Sequence, residues 1–226
     1  MRGTRMPTAL TVAGSDSGGG AGIQADLKTF TAFRVFGLSA ITGLTAQNTR
    51  GVRGVELPTT DFIAAQLRTV LEDIGVDAVK TGMLATGPII RTVAGVVREF
   101  RLANVVVDPV MIAASGDTLM QNEAAPVMRE HLFPLATVVT PNLDEATFLC
   151  ERKIRTTDDM EEAARTIHAM GPRYVLIKGG HLPGDRVVDL LFDGLEFVRQ
   201  ESTRIPGEFH GTGCTLSAAI CARLAA

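Results

Sequence analysis

The chain contains no tryptophan and a single tyrosine, Tyr174, and aromatic residues make up only 5% of its 226 residues. Proteins that bind single-stranded nucleic acids use aromatic rings as stacking platforms, so the shortage of aromatics argues against that function. The formal net charge of −3 also provides no basic surface for a nucleic-acid backbone. We therefore expect no nucleic-acid partner.

Long apolar runs are also missing. No segment reaches the roughly 18 consecutive apolar residues that a membrane-spanning helix needs, and the first residues lack the apolar core of a secretion signal. The three cysteines, Cys150, Cys214 and Cys221, form no C-x-x-C pair, which argues against a zinc site and a disulfide framework. These absences predict a cytoplasmic protein with reduced thiols and no membrane partner.

The chain does have a regular alternation of short apolar segments and longer amphipathic ones. Its hydrophobic content of 46% is sufficient for a large core, and we find no repeat or linker. Continuous apolar strands separated by helices are typical of a parallel sheet that is covered on both faces. We therefore predict one α/β domain over residues 1–226, a mostly parallel sheet with helices on both faces. The predicted strands are 9–13, 38–46, 54–57, 77–81, 104–107, 136–139 and 174–177, with an edge hairpin of 187–192 and 195–199; the predicted helices are 21–36, one capped by Thr60 and ended by Gly75, 87–100, 123–132 and 160–170.

The most distinctive segment is GEFHGTGCTLS at 207–217, an irregular glycine-rich turn that runs into a helix. Gly211 and Gly213 let the main chain approach a ligand, and Thr212 or Thr215 is expected to cap the first turn. The remaining N–H groups would bind an anion. A second glycine-rich turn, GSDSGGGAG, occupies 14–22. Either turn alone is compatible with an ordinary helix start, but the two together favour a phosphate-handling enzyme.

Two familiar nucleotide motifs are matched only superficially. GAGIQA at 20–25 fits the dinucleotide pattern G-x-G-x-x-A, but the second strand ends in Ala46-Gln47-Asn48 and not in the acid that would hold a ribose. GIQADLKT at 22–29 resembles a P-loop, but Leu27 replaces the second glycine and Lys28 falls inside the helix. We reject both interpretations.

Polar residues follow the predicted strands, at the edge of the sheet where ligands of such folds bind. Asp16, Asp26 and Gln47 offer the mixed donors and acceptors that a heteroaromatic ligand needs; the alternatives are an exposed helix carboxylate for Asp26 and a turn residue for Gln47. Asn142 and Glu145 would hold hydrated Mg²⁺, or else form a helix-capping pair. Lys178 would reach a phosphate, or else extend to water. The residues predicted at this edge are Asp16, Gln47, Asn48, Gly82, Met83, Asp108, Asn142, Lys178, Gly179 and Gly180.

Taken together, eight ordered segments resemble the ribokinase-like family of ATP-dependent small-molecule kinases, and within it the hydroxymethylpyrimidine/phosphomethylpyrimidine kinases of thiamine biosynthesis. The resemblance covers nearly the whole chain and implies a ribokinase-like three-layer sandwich. The segments are AGSD (13–16), GGAGIQADLKT (19–29), AQNTRGV (46–52), TGML (81–84), VDPVM (107–111), TPN (140–142), KGGH (178–181) and HGTGCT (210–215).

The resemblance implies roles for individual residues. The pyrimidine pocket would be lined by Gly14, Asp26, Gln47, Met83 and Val110. ATP with Mg²⁺ would be bound by Asp108, Asn142, Glu145, Lys178 and Thr212, with Glu145 reaching the metal through water. Gly211, Thr212, Gly213 and Cys214, with Lys178, would form the catalytic anion hole around the transferred phosphoryl group.

Cys214 occupies the position at which many sugar-kinase relatives carry an aspartate base. A cysteine at a helix N-terminus is expected to have a lowered pKa, so Cys214 would act as a weak base. Alternatively it donates only its backbone N–H. Either role is compatible with phosphoryl transfer, which depends more on positioning and charge stabilisation than on deprotonation of the acceptor.

The resemblance implies a kinase that phosphorylates 4-amino-5-hydroxymethyl-2-methylpyrimidine and then its monophosphate, with ATP and Mg²⁺. A pyridoxal or pyridoxine kinase is the alternative enzyme, and a catalytically silent pyrimidine-binding module is the alternative outside enzymes. Family members usually continue through further C-terminal helices, which we expect to be missing here. The edge hairpin predicts a homodimer.

Overall fold

The computed structural model describes residues 5–112, 119–121, 123–180, 182, 184–207 and 209–226. His181 and Glu208, which belong to the motifs above, lie outside them. The described residues form one sheet with the strand order β3-β2-β1-β4-β5-β6-β7-β8-β9. The strands are β1 (Thr8–Asp16), β2 (Phe36–Asn48), β3 (Gly51–Glu56), β4 (Ala78–Thr81), β5 (Val105–Val107), β6 (Val138–Val139), β7 (Tyr174–Ile177), β8 (Arg186–Phe192) and β9 (Phe197–Thr203).

The centre of the sheet is parallel, from β2 through β1, β4, β5 and β6 to β7, and the edge strands β3, β8 and β9 are antiparallel. This confirms the predicted α/β class with a mostly parallel sheet. Because the parallel strands end at the same edge, the polar residues that follow them are brought together there.

Helices cover both faces of the sheet, which separates the core into two layers. Helices α2 to α6 pack on one face, where Val79 of β4 belongs to their apolar cluster. Helices α1 and α7 pack on the other face, beside Ala78. Because side chains alternate along a strand, Lys80 faces the same side as Ala78. The helices are α1 (Gly22–Ala32), α2 (Thr60–Asp73), α3 (Gly87–Glu99), α4 (Ala124–His131), α5 (Leu143–Cys150), α6 (Thr157–His168) and α7 (Thr212–Ala225).

Several predicted boundaries are wrong by a few residues, each for a local reason. The first helix ends at Ala32 and not near 36, since Arg34 adopts a left-handed φ of 59°. The cap of α2 is Thr59, whose side chain accepts the Phe62 N–H at 3.3 Å, and not Thr60. The hairpin turn is longer than predicted because the Asp193 carboxylate accepts two following N–H groups, so β9 begins at Phe197.

None of the helices in the described ranges combines the length and the apolarity that crossing a bilayer requires.

Candidate active site

A cavity of about 1380 Å³ opens at the carboxyl edge of the parallel strands. Ligand pockets for one small molecule usually measure roughly 300–1000 Å³, so this cavity has room for two ligands. The predicted site residues that line it are Gly14, Gln47, Met83, Asp108, Val110, Asn142, Glu145, Lys178, Gly211, Thr212, Gly213 and Cys214.

The two glycine-rich turns, from opposite ends of the chain, meet at this cavity. The carboxylate of Asp16 accepts the N–H groups of Gly18 at 2.7 Å, Gly20 at 3.0 Å and Ala21 at 2.8 Å. The same carboxylate lies 3.0 Å from the Nε2 atom of His210. Partial burial acts to raise the pKa of Asp16, but His210 and these N–H groups hold it below its ordinary value. An ionised Asp16 therefore links the first turn to the second.

The second turn leads directly into α7. Gly211 is the N-cap residue with a left-handed φ of 83°, and it provides no side-chain cap. The prediction that Thr212 or Thr215 caps this helix is wrong, since Thr215 Oγ1 donates backwards to the Gly211 carbonyl at 3.0 Å. The uncapped N-terminus of α7 borders the cavity. An uncapped helix N-terminus favours a negatively charged group.

Cys214 lies at the start of α7 and is half-buried. The expected lowering of its pKa is wrong, because burial raises the pKa of the thiol above its ordinary value despite the nearby Lys80 ammonium. A helix N-terminus lowers the pKa of a thiol, but the burial of Cys214 acts in the opposite direction. A protonated thiol is a poor base, so the arrangement favours the alternative in which Cys214 contributes its backbone N–H.

Lys178 follows β7 and ends in a cluster of acidic groups. Its Nζ atom lies 3.0 Å from Asp108 Oδ1 and 3.9 Å from Glu145 Oε2. Asp108 is held from the other side by the Ser217 hydroxyl, which donates to Oδ2 at 3.0 Å. Burial, with Asp108 nearby, raises the pKa of Glu145 to about 7, although Lys178 opposes the shift. The lysine and the two carboxylates thus form one electrostatic unit beside residues 211–214, which we call the anion loop.

Asn142 and Glu145 form the capping box that the sequence allowed as their structural role. The Asn142 side chain accepts the Glu145 N–H at 2.8 Å, and the Glu145 carboxylate accepts the Asn142 N–H at 2.7 Å. Both residues also line the cavity. A capping role and a ligand-binding role are therefore compatible.

Whether Asn142 also binds ligand can be tested by comparison with a second capping box, formed by Thr156 and Asp159 on α6. We expect Asn142→Ala and Thr156→Ala each to lower the free energy of unfolding by about 1 kcal/mol, since each removes an N-cap side chain. Only Asn142 borders the cavity, so only its replacement should also reduce turnover. Urea unfolding and steady-state kinetics of both variants check this. Equal activity in the two variants would show that Asn142 caps the helix and takes no part in turnover.

Gln47 and Met83 also border the cavity. The Gln47 amide lies 3.4 Å from the His210 ring and accepts the Thr45 hydroxyl at 3.0 Å. The Met83 methyl group packs against the backbone of Gly14, where an added Cβ would lie only 3.0 Å from it. The cavity wall therefore includes one apolar methionine side chain and one amide.

Asp26 does not line the cavity, which corrects its predicted place in the pyrimidine pocket. Its side chain is completely buried, contacts Lys80 Nζ at 2.9 Å and accepts the Thr11 hydroxyl at 2.6 Å. It lies below the floor of the cavity, because this position of α1 packs against the sheet and is not an exposed helix position.

Sequence reasoning also missed three residues. Ser217 fixes Asp108, and Arg204 donates to the carbonyls of Gly180, Leu182 and Gly184. Lys80 lies at the floor of the cavity. A lysine inside a short apolar strand was the available signal, since charged residues are rarely buried without a partner.

The side chains at this site suit a nucleotide and a hydrated magnesium ion better than a tightly coordinated metal. Among the described residues, no three His, Cys, Asp or Glu side chains are grouped to hold a metal ion. Asp108 and Glu145 are already engaged with Lys178. Mg²⁺ keeps several waters and takes few protein ligands when it binds beside phosphates.

The sheet order and the glycine-bounded anion loop define a ribokinase-like fold. The structure of a Bacillus subtilis pyridoxal kinase in complex with ADP has a TM-score of 0.91 and 49% sequence identity, covering 98% of this chain and 85% of that one. A phosphomethylpyrimidine kinase from Clostridium difficile 630 has a TM-score of 0.86 and 43% identity, covering 98% of this chain and 91% of that one.

The phosphomethylpyrimidine kinase family model matches residues 16–226, and the chain belongs to that family. A thiamine biosynthesis bifunctional protein from Geobacter sulfurreducens is 53% identical over 217 residues, which are 96% of this chain. The chain spans less than half of that relative, 44% of its length.

Proposed function

We propose that this chain is an ATP-dependent kinase that phosphorylates 4-amino-5-hydroxymethyl-2-methylpyrimidine and then its monophosphate. The observation that carries the proposal is one cavity where the two glycine-rich turns meet, lined by the anion loop and Lys178 and also by Gln47 and Met83. This arrangement brings an aromatic alcohol and a triphosphate together. Family membership supports the same function.

The chain's own groups account for the transfer step. The N–H groups of 211–214 and the Lys178 ammonium stabilise the negative charge of the phosphoryl group as it moves. Mg²⁺, held beside the phosphates through water by Glu145, would neutralise further charge. The raised pKa of Cys214 leaves the thiol protonated near neutral pH. In the first step the hydroxymethyl proton leaves late in the transfer, to solvent or to the transferred phosphate, as a loose transition state allows. The second acceptor is already an anionic phosphate, so it requires no base.

A pyridoxal kinase is the second candidate, favoured by the 49% identity to the Bacillus subtilis pyridoxal kinase. Both substrates carry a hydroxymethyl group on a six-membered heteroaromatic ring, so one pocket can admit both. A binding module without catalysis is less well supported, because it would have no use for a complete anion loop.

Release of ADP with each alcohol distinguishes these functions. We expect kcat/KM for the pyrimidine alcohol to exceed that for pyridoxal by about tenfold or more, since a pocket that hydrogen-bonds one substrate rejects an analogue lacking those groups. In the same assay, Gln47→Ala should raise KM for the pyrimidine while ATP binding is retained. A higher kcat/KM for pyridoxal, or no ADP release with either alcohol, would overturn the proposal.

A homodimer and a cytoplasmic location stay predictions. The edge strand β9, with Val198 exposed, supports the first, since an unpaired strand edge is a surface for a second copy.

A further inference from the structure

A fully buried ion pair lies beneath the cavity floor and has no part in the proposed function as described so far. Lys80 and Asp26 are both completely buried, and Lys80 Nζ lies 2.9 Å from each carboxylate oxygen. The Thr11 hydroxyl, also buried, donates to the same carboxylate at 2.6 Å. The pair joins the central strand β4 to helix α1.

Stability alone is a weak reason for such a pair. Removing two charges from water costs several kcal/mol per ion, and apolar replacements of a buried pair are often neutral or stabilising. Burial acts to lower the pKa of Lys80, but the Asp26 carboxylate raises it above its ordinary value, so the ammonium stays charged. A permanent positive charge is therefore maintained inside the protein.

The position of this charge relates it to the anion loop. Cys214 lines the cavity, Lys80 lies at its floor with no exposed side-chain surface, and α7 packs against β4. Gly82 lines the cavity and lies against the ammonium, since an added Cβ there would lie 3.1 Å from Lys80 Nζ. A Cβ at Gly213 would lie 3.2 Å from Lys178 Nζ, so the loop has a second ammonium group beside it.

The two members of the pair do not cancel at the loop. Lys80 is the largest of the charged influences on the Cys214 thiol and acts to lower its pKa, whereas Asp108 and Asp26 act to raise it. Of the two members of the pair, the ammonium therefore acts more strongly on Cys214. Dipoles that are already oriented cost no reorganisation when charge develops nearby.

We propose that Lys80 is a positioning residue of the phosphoryl transfer: its ammonium, fixed by Asp26 and Thr11, supplies the positive potential behind the anion loop. It acts through the loop and does not contact the substrate, because it is completely buried. The inference rests on the proposed kinase function, and it adds a third source of positive charge to Lys178 and the helix N-terminus.

The test uses paired variants, because Lys80→Met alone would leave a buried carboxylate without a partner and unfold the protein. Lys80→Met with Asp26→Leu replaces the pair with apolar groups, and Lys80→Gln with Asp26→Asn keeps neutral hydrogen bonds. Thermal unfolding identifies which of these double variants folds. In a double variant that folds, we expect kcat to fall about tenfold to a hundredfold, while KM for the alcohol and for ATP changes little, since the lost interaction belongs to the transition state. Wild-type kcat in a folded pair would overturn the proposal.

A second readout does not depend on kinase activity. The rates at which anionic iodoacetate and neutral iodoacetamide alkylate Cys214 are compared, with each cysteine peptide followed by mass spectrometry. A positive potential accelerates the anionic reagent, so the iodoacetate-to-iodoacetamide ratio at Cys214 should fall severalfold in a folded pair. The ratio at the half-buried Cys150 is the internal control and should not change. An unchanged ratio at Cys214 would overturn the proposal even if the wild-type protein proved inactive towards both alcohols.

Discussion

Replacing Gly211 with alanine is expected to remove nearly all turnover and to destabilise the protein. A Cβ at this position would lie 1.8 Å from the carbonyl oxygen of Gly20, a backbone atom that cannot rotate away. Its φ of 83° also disfavours any side chain, at a cost of about 1–2 kcal/mol. Both glycine-rich turns must therefore move apart. We expect kcat/KM to fall more than about a hundredfold, as for the loss of an oxyanion donor.

The matched control is Gly95→Ala, at an exposed position within α3. A Cβ there meets nothing within 4 Å, and alanine favours a helix over glycine by about 0.5–1 kcal/mol. This variant should be slightly more stable than the wild type and fully active. Urea unfolding and ADP release measured on both variants check the pair. A Gly211→Ala enzyme with more than half of the wild-type turnover would contradict the close contact between the turns.

Replacing Lys178 with methionine is expected to lower kcat by about 10²–10³-fold, the usual effect of losing one preorganised group that stabilises transition-state charge. The ammonium lies 3.0 Å from Asp108 Oδ1 and a Cβ at Gly213 would nearly touch it. KM for the aromatic alcohol should change little, because Lys178 is expected to act on the transferred phosphoryl group and not on the ring. Stability should also fall, since Asp108 loses its buried partner.

An exposed lysine provides the comparison. Lys153→Met removes the same charge from the surface, and it should leave kcat and stability within experimental error of the wild type. Lys178→Arg restores a positive charge, so it should recover the stability and part of the turnover. If Lys178→Met raises KM for ATP and leaves kcat unchanged, the lysine only binds nucleotide and takes no part in the transfer.

Local patterns in the sequence predict most of the fold and one part of the site. The capping box of Asn142 and Glu145 depends on residues three positions apart, so the sequence contains all of it. The strands could be predicted because continuous apolar segments define them. The glycine turns could be predicted because glycine is required wherever the backbone approaches another chain segment this closely.

Contacts between distant residues account for what the sequence did not predict. Asp26 and Lys80 are 54 positions apart, and only the packing of α1 on the sheet joins them. The polar type of Asp26 and the family resemblance made it a candidate for ligand binding, whereas its side chain pairs with Lys80 below the floor of the cavity. The prediction of a lowered pKa for Cys214 was wrong for a related reason: burial raises the pKa, and the charged groups that act on the thiol, Lys80, Asp108 and Asp26, all lie outside α7.

The contact between Asp16 and His210 joins residues that are 194 positions apart. At a synthesis rate of about 5–20 residues per second, the ribosome makes the second partner roughly 10–40 s after the first. A nascent chain that has not yet reached His210 lacks the contact that joins the two turns. The cavity is therefore complete only after most of the residues between these two partners, and the second partner itself, have been translated.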